Sequence, residues 1–207
     1  MKTGLFEIVC VMDRSGSMAM TAQDAVGGFN TFLESQKKLP GDARLTLVLF
    51  NTEQKIEHDG KPIRDVEPLV AGSSYVPDGM TALLDAVAGT IDRVGKRLSE
   101  TAEDEKPERV IVAIITDGHE NSSKRHRLKD VAERVKRQQD DYKWEFLFLG
   151  ANMDAFAEAG GMAIMPGTVR NYVPDAAGTR QAYATMDAVM SSARMAGTSV
   201  KDALGKS

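Results

Sequence analysis

The segment Asp13-Arg14-Ser15-Gly16-Ser17 sets a carboxylate and two hydroxyls at i, i+2 and i+4. In an extended chain those three side chains point the same way, and Gly16 lets the backbone turn between the hydroxyls. The segment follows the apolar run Ile8 to Met12. A second apolar run, Val110 to Ile115, leads into Thr116-Asp117-Gly118, so another carboxylate stands at the end of another strand. Between the two, Gly79-Met80-Thr81 stands just ahead of a helical pattern. If the two strands share a sheet, Asp13, Ser15, Ser17, Thr81 and Asp117 can converge at one end of it. The set is all oxygen, two carboxylates and three hydroxyls. Hard cations such as Mg²⁺ choose oxygen, whereas Zn²⁺ normally takes nitrogen or sulfur. Mg²⁺ demands six ligands at about 2.0–2.1 Å and keeps some of its waters; five side chains with waters nearly fill that shell. If the carboxylates act through water while the neutral hydroxyls bind directly, the ion stays electrophilic and would bind an incoming carboxylate well.

The elements that must position these residues alternate along the chain. Ile8 to Met12, Leu45 to Phe50, Val110 to Ile115 and Phe146 to Leu149 are short apolar runs without polar alternation, the mark of strands buried on both faces of a parallel sheet. Between them lie helical stripes: Ala22, Val26, Phe29 and Leu33; Leu84, Val87, Ile91, Val94 and Leu98; Leu128, Val131 and Val135; Ala182, Met186, Val189 and Ala193. Thr21 with Asp24 resembles a capping box. Asp59-Gly60 between short strand-like pieces predicts a hairpin, and Pro62 confines its strand to a sheet edge. The pattern predicts a three-layer α/β sandwich with helices on both faces, whose ligand site lies at the carboxyl ends of the strands. We expect a single domain over residues 1–196 and a flexible polar tail over residues 197–207.

Composition narrows the function classes. A chain of 207 residues buries about 70% of its unfolded surface and needs no staple to fold. The net charge of −4 argues against a dedicated nucleic-acid binder. One cysteine, Cys10, rules out an internal disulfide and a cysteine-based zinc site. Glu7 and Asp13 cut the first apolar stretch too short for the core of a secretory signal, so the expectation is a cytoplasmic protein.

On the residues Asp13-Arg14-Ser15-Gly16-Ser17, Thr81 and Asp117, the chain resembles the von Willebrand factor type A (vWA) domain family. The family's metal-ion-dependent adhesion site (MIDAS) reads D-x-S-x-S with a later Thr and a later Asp, and all five positions are matched in order. The resemblance runs from about Leu5 to Arg194 and is nearest the small stand-alone intracellular versions of bacteria and phages. It implies a Rossmann-like sheet of six strands, mostly parallel with one antiparallel edge strand. It also implies Mg²⁺, or Mn²⁺, at the top, and a protein partner whose Asp or Glu completes the coordination. By the family's pattern Ser15 and Ser17 ligate directly, Asp13 and Asp117 largely through water, and Thr81 either way.

Met18, Met20 and Met80 flank these loops and, with His119, are candidates for a rim that a partner covers. The Met side chains could instead tuck under the loops, and His119 could be a plain loop residue. Thr81 could also serve as a helix N-cap. The basic residues from Lys124 to Arg137 suggest phosphate binding, but the interspersed acids favour a solvated helix face. The reading is therefore a metal-dependent protein-binding module, not an enzyme, with no membrane role. Self-association is open, since a neighbouring copy's carboxylate can fill the same place. The alternative is a Mg²⁺-dependent hydrolase or phosphoryl-transfer enzyme; D-x-D-x-T, a P-loop and G-x-S-x-G are all missing.

Overall fold

A computed structural model describes residues 1–151 and 154–206. The strands are β1 (Lys2–Asp13), β2 (Asp42–Phe50), β3 (Gln54–Pro62), β4 (Pro107–Thr116), β5 (Glu145–Gly150) and β6 (Val169–Asn171). The helices are α1 (Ala22–Lys38), α2 (Leu83–Glu100), α3 (Leu128–Tyr142), α4 (Ala155–Gly161), α5 (Ala176–Ala196) and α6 (Val200–Leu204). The strands form one sheet in the order β3-β2-β1-β4-β5-β6. Every pairing is parallel except β2 with β3. This is the expected α/β sandwich, Rossmann-like and six-stranded, with its antiparallel strand at the edge.

Strand alternation divides β1 between two cores. Phe6, Ile8, Cys10 and Met12 pack toward α1, α5 and α6. Val9 and Val11 pack toward α2, α3 and α4. Burial on both faces is why these strands read as unbroken apolar runs. Burial also pushes the Cys10 thiol up to about 12, so it serves as packing. No helix among the described residues is long and apolar enough to cross a membrane.

Three local expectations are corrected. Asp59-Gly60 is not a hairpin turn: both residues lie inside β3, and the chain reverses ahead of Gln54. Gly60 instead marks an irregularity in the β2–β3 register, with φ of +64°, its N–H donating to Thr46 Oγ1 at 2.9 Å. A Cβ there would run into the Arg97 guanidinium, which pairs with the fully buried Glu7 on β1 and with Asp59. The Thr21–Asp24 box also fails to form. Thr21 belongs to a 3-10 turn over Gly16–Thr21 that runs straight into α1, and Asp24 pairs with Arg180 on α5. Finally, the expected flexible tail over residues 197–207 is not a frayed one across its described part, residues 197–206. Val200 and Leu204, one helical turn apart, are both buried in α6. Ser199 Oγ accepts from Asp202 N–H at 3.1 Å, and Glu145 accepts from Val200 N–H at 2.6 Å. Ser207 lies outside the described residues.

Candidate metal-binding site

At the carboxyl end of β1 the backbone N–H of Arg14 still donates to Phe50 O at 2.7 Å, which fixes Asp13 beside the end of β2. Asp13 Oδ1 accepts from Ser15 N–H at 2.6 Å, and Oδ2 accepts from the Thr116 hydroxyl at the end of β4, at 2.5 Å. The Tyr75 hydroxyl donates to the Asp13 carbonyl at 2.5 Å. Ser15 Oγ and Ser17 Oγ lie 3.0 Å apart, and the Ser17 hydroxyl donates to Asp117 Oδ1 at 2.5 Å.

Thr81 arrives on a separate loop that is stitched to the first. Gly16 N–H donates to Gly79 O at 3.0 Å, and Asp78 N–H donates to Arg14 O at 2.9 Å. Gly79 has φ of +72°, and a Cβ on it would lie 2.8 Å from Thr52 Oγ1, so this crossing requires glycine. Asn51 holds the loop from below, its Nδ2 donating to Asp78 O at 2.8 Å. A Cβ placed on Gly118 would lie 2.9 Å from Thr81 Oγ1 and 3.6 Å from Ser17 Oγ. One small region beside Asp117 thus touches both hydroxyls. The structure brings Asp13, Ser15, Ser17, Thr81 and Asp117 together.

Thr81 is not the N-cap of α2; that position is Ala82. The first turn is served from outside. Glu120 accepts from Leu84 N–H at 2.8 Å, and Ser123 Oγ accepts from Asp85 N–H at 3.0 Å. Asn121 and Thr81 exchange a reciprocal pair, Thr81 N–H to Asn121 Oδ1 at 2.9 Å and Asn121 N–H to Thr81 O at 3.0 Å.

The electrostatics suit a cation. Asp13 is only 1% exposed, and burial outweighs the hydrogen bonds from Thr116 and Ser15, pushing its pKa up to about 6. Asp117 is also raised, by burial first, against the Ser17 hydrogen bond. The Tyr172 hydroxyl is buried without a hydrogen-bond partner among the described residues. Burial, and then the charges of Asp117 and Asp13, raise its pKa. Two buried carboxylates with raised pKa values, ringed by neutral hydroxyls, match the donor chemistry of Mg²⁺ or Mn²⁺. Among the described residues, no three His, Cys, Asp or Glu side chains group as metal ligands, so a metal here depends on the hydroxyls.

The expected rim divides. Met20 is 92% exposed and Met80 53%, and His119 is exposed, but Met18 is buried in the α1–α5 core at 1%. The 3-10 turn explains the correction. With three residues per turn, Met20 eclipses Ser17 on the site side, while Met18 is rotated inward. Sequence reading passed over Tyr75, Thr116, Asn51 and Asp85 as parts of the site's support. Thr116, directly before Asp117, is the one with a local signal.

No protein-family model and no curated protein matches the chain. Solved structures do. The von Willebrand factor domain of the type V pili tip protein Mfa5 from Porphyromonas gingivalis aligns with TM-score 0.61 at 10% identity, covering 93% of this chain and 97% of that one. Manganese-loaded TRAP protein from Plasmodium vivax aligns with TM-score 0.57 at 14% identity, covering 88% of this chain and 73% of that one. A von Willebrand factor type A structure from Catenulispora acidiphila gives TM-score 0.55 at 14% identity, covering 87% of this chain and 41% of that one. Several matched chains are much longer, and this chain spans 41% to 63% of four of them. The fold is that of vWA domains.

Proposed function

We propose that the chain is a metal-dependent protein-binding module with a MIDAS-type site. Asp13, Ser15, Ser17, Thr81 and Asp117 hold Mg²⁺, or Mn²⁺, and an Asp or Glu of a partner protein completes the shell. The observation that carries this reading is the hydrogen-bonded chain from Asp13 through Ser15 and Ser17 to Asp117, with Thr81 Oγ1 against Gly118. Bound there, a divalent cation supplies an electrophilic coordination position for a carboxylate. Ser15, Ser17 and Thr81 contribute neutral oxygen, which leaves that position hungry for charge. Thr116 and Ser15 N–H orient Asp13, and the Ser17 hydroxyl orients Asp117. Exposed Met20, Met80 and His119 form the rim that the partner covers.

The manganese-loaded TRAP structure shares the fold, which is in keeping with a divalent ion in this one. Binding is favoured over catalysis because no imidazole hydrogen-bonds Ser15 or Ser17 among the described residues to serve as their base. The module works in the cytoplasm in this reading. The test is Mn²⁺ titration calorimetry on the wild-type protein and on Asp13→Ala, followed by affinity capture from native lysate in Mg²⁺ and in EDTA. Metal binding lost in Asp13→Ala, with a partner retained only in Mg²⁺, is the expected result. A partner that stays bound in EDTA would place the interface elsewhere.

A further inference from the structure

We propose that the exposed basic loop from Lys124 to Arg127 is a second anchor beside the metal site, and that the partner segment carries several carboxylates, one for the cation and others for this loop. The inference rests on the reading of the site as a carboxylate-capturing metal centre and names the class of partner it takes.

The basic run that reads as a solvated helix face divides into two kinds of residue. Those within α3 are engaged by their own chain. Arg134 grips Asp92 through Nε and Nη2 at 2.9 and 3.0 Å, Lys136 pairs with Asp140 at 2.7 Å, and Arg137 stacks 5.8 Å over the Tyr142 ring. Lys124, Arg125 and Arg127 are exposed, and their side chains have no partner among the described residues.

Helix stability does not account for these three cations. They precede Leu128, at the end of α3 where the helix field opposes positive charge. Asp130 does the capping there, accepting from Arg127 N–H at 2.8 Å. Their backbone is nevertheless firmly held. The buried Asp85 carboxylate accepts from the N–H groups of Lys124, Arg125 and His126 at 2.9, 3.1 and 2.8 Å, and faces His126 Nδ1 at 3.1 Å. With the main chain turned inward onto Asp85, the basic side chains are left to solvent. The same loop starts at Asp117 and bonds to Thr81 through Asn121, so it is tied to two of the proposed metal ligands.

Charge complementarity selects the partner. The chain as a whole carries −4, which repels acidic surfaces, so a local positive patch on the loop that starts at Asp117 orients an acidic segment as it arrives. A nucleic acid fits less well: a long polyanion continuing along α3 would meet Glu133, Asp140 and Asp141.

The test uses the full chain loaded with Mn²⁺ and two fluorescein-labelled peptides of equal length, one with a single Asp among Gly and Ser, the other with four. Wild-type protein should bind the four-Asp peptide about tenfold more tightly than the one-Asp peptide, from three exposed charge pairs, and the preference should shrink with added salt. The variant Lys124→Ser/Arg125→Ser/Arg127→Ser should lose that preference while binding Mn²⁺ as wild type does. Equal affinity for both peptides in wild type, a preference that survives in the variant, or no binding of the four-Asp peptide by Mn²⁺-loaded protein would each overturn the proposal. Tighter, metal-independent binding of a labelled oligonucleotide would overturn it in favour of phosphate recognition. Failure of wild type to bind Mn²⁺ at all would instead strike the metal-site reading.

Discussion

Two aspartates at the same end of the molecule are both buried and behave in opposite ways. Asp13, at the end of β1, has one backbone N–H and one hydroxyl on its carboxylate, and burial wins, raising its pKa to about 6. Asp85, in the first turn of α2, is desolvated as well. Hydrogen bonds from Lys124, His126 and Arg125 overcome that burial, and its pKa is lowered. The difference lies in how many donors the fold supplies. Asp85 has its charge answered and acts as a clasp for the loop that follows β4. Asp13 is held in place by two donors that do not offset its burial, the condition expected of a group that meets a cation.

The largest expected effect breaks this comparison on the Asp13 side. Asp13→Ala should abolish measurable Mn²⁺ binding, a loss of at least about 100-fold, with the circular dichroism spectrum unchanged. Calorimetry and far-UV spectra check both halves. On the other side, Asp85→Ala strips the partner from several N–H donors at once. It should cost about 3–4 kcal/mol of stability in urea denaturation, while the folded protein keeps Mn²⁺ affinity within about tenfold of wild type. If instead Asp85→Ala loses metal and Asp13→Ala loses stability, the roles assigned to them are reversed.

The pH dependence sharpens the contrast because the two signs differ. A raised folded-state pKa means the proton favours the fold. Asp13's contribution is therefore intact below about pH 4 and drains away as pH climbs through about 6. That amounts to about 3 kcal/mol in the metal-free protein. Asp85 has the opposite sign: its contribution is present above its ordinary pKa of 3.8 and is lost as pH falls below that value. Melting of metal-free protein between pH 4 and 7 should show stability falling, and Asp13→Asn should flatten the curve. Mn²⁺ should reverse the trend, its affinity dropping about tenfold per pH unit below 6 as protons compete for Asp13. The smallest effect is Tyr75→Phe, which removes the hydroxyl bonded to the Asp13 carbonyl. It should lower stability by about 1 kcal/mol, with little change in metal affinity.

The central strands and the five oxygen residues were legible because each announces itself locally. Double-sided burial writes an unbroken apolar run, and a strand-end D-x-S-x-S needs no distant information. What was missed depends on contacts across the chain. Asp85 sits in an amphipathic helix and reads as a solvent-facing charge; its role appears only when residues 124–126 fold back over it. Asp59-Gly60 reads as a turn, yet Gly60 is required by the Arg97 guanidinium 37 residues later in the chain. Met18 and Met20 cannot be told apart by composition, and the 3-10 turn separates them. The last segment looked too small and polar to dock, but Val200 and Leu204 suffice because Arg109 and Arg170 meet the backbone around them, at Thr198 O and Leu204 O.

The margins of the sheet have a consequence for assembly. At one border β6 is only three residues long; at the other β3 is irregular in register and lined by Lys55, Glu57, Asp59 and Lys61. A short strand and a kinked, charged one are poor templates for an incoming strand. Polymerisation by adding strands side to side is thereby discouraged at both borders. Any contact this domain makes with another chain is thereby steered to its helix faces and the loop ends of the sheet.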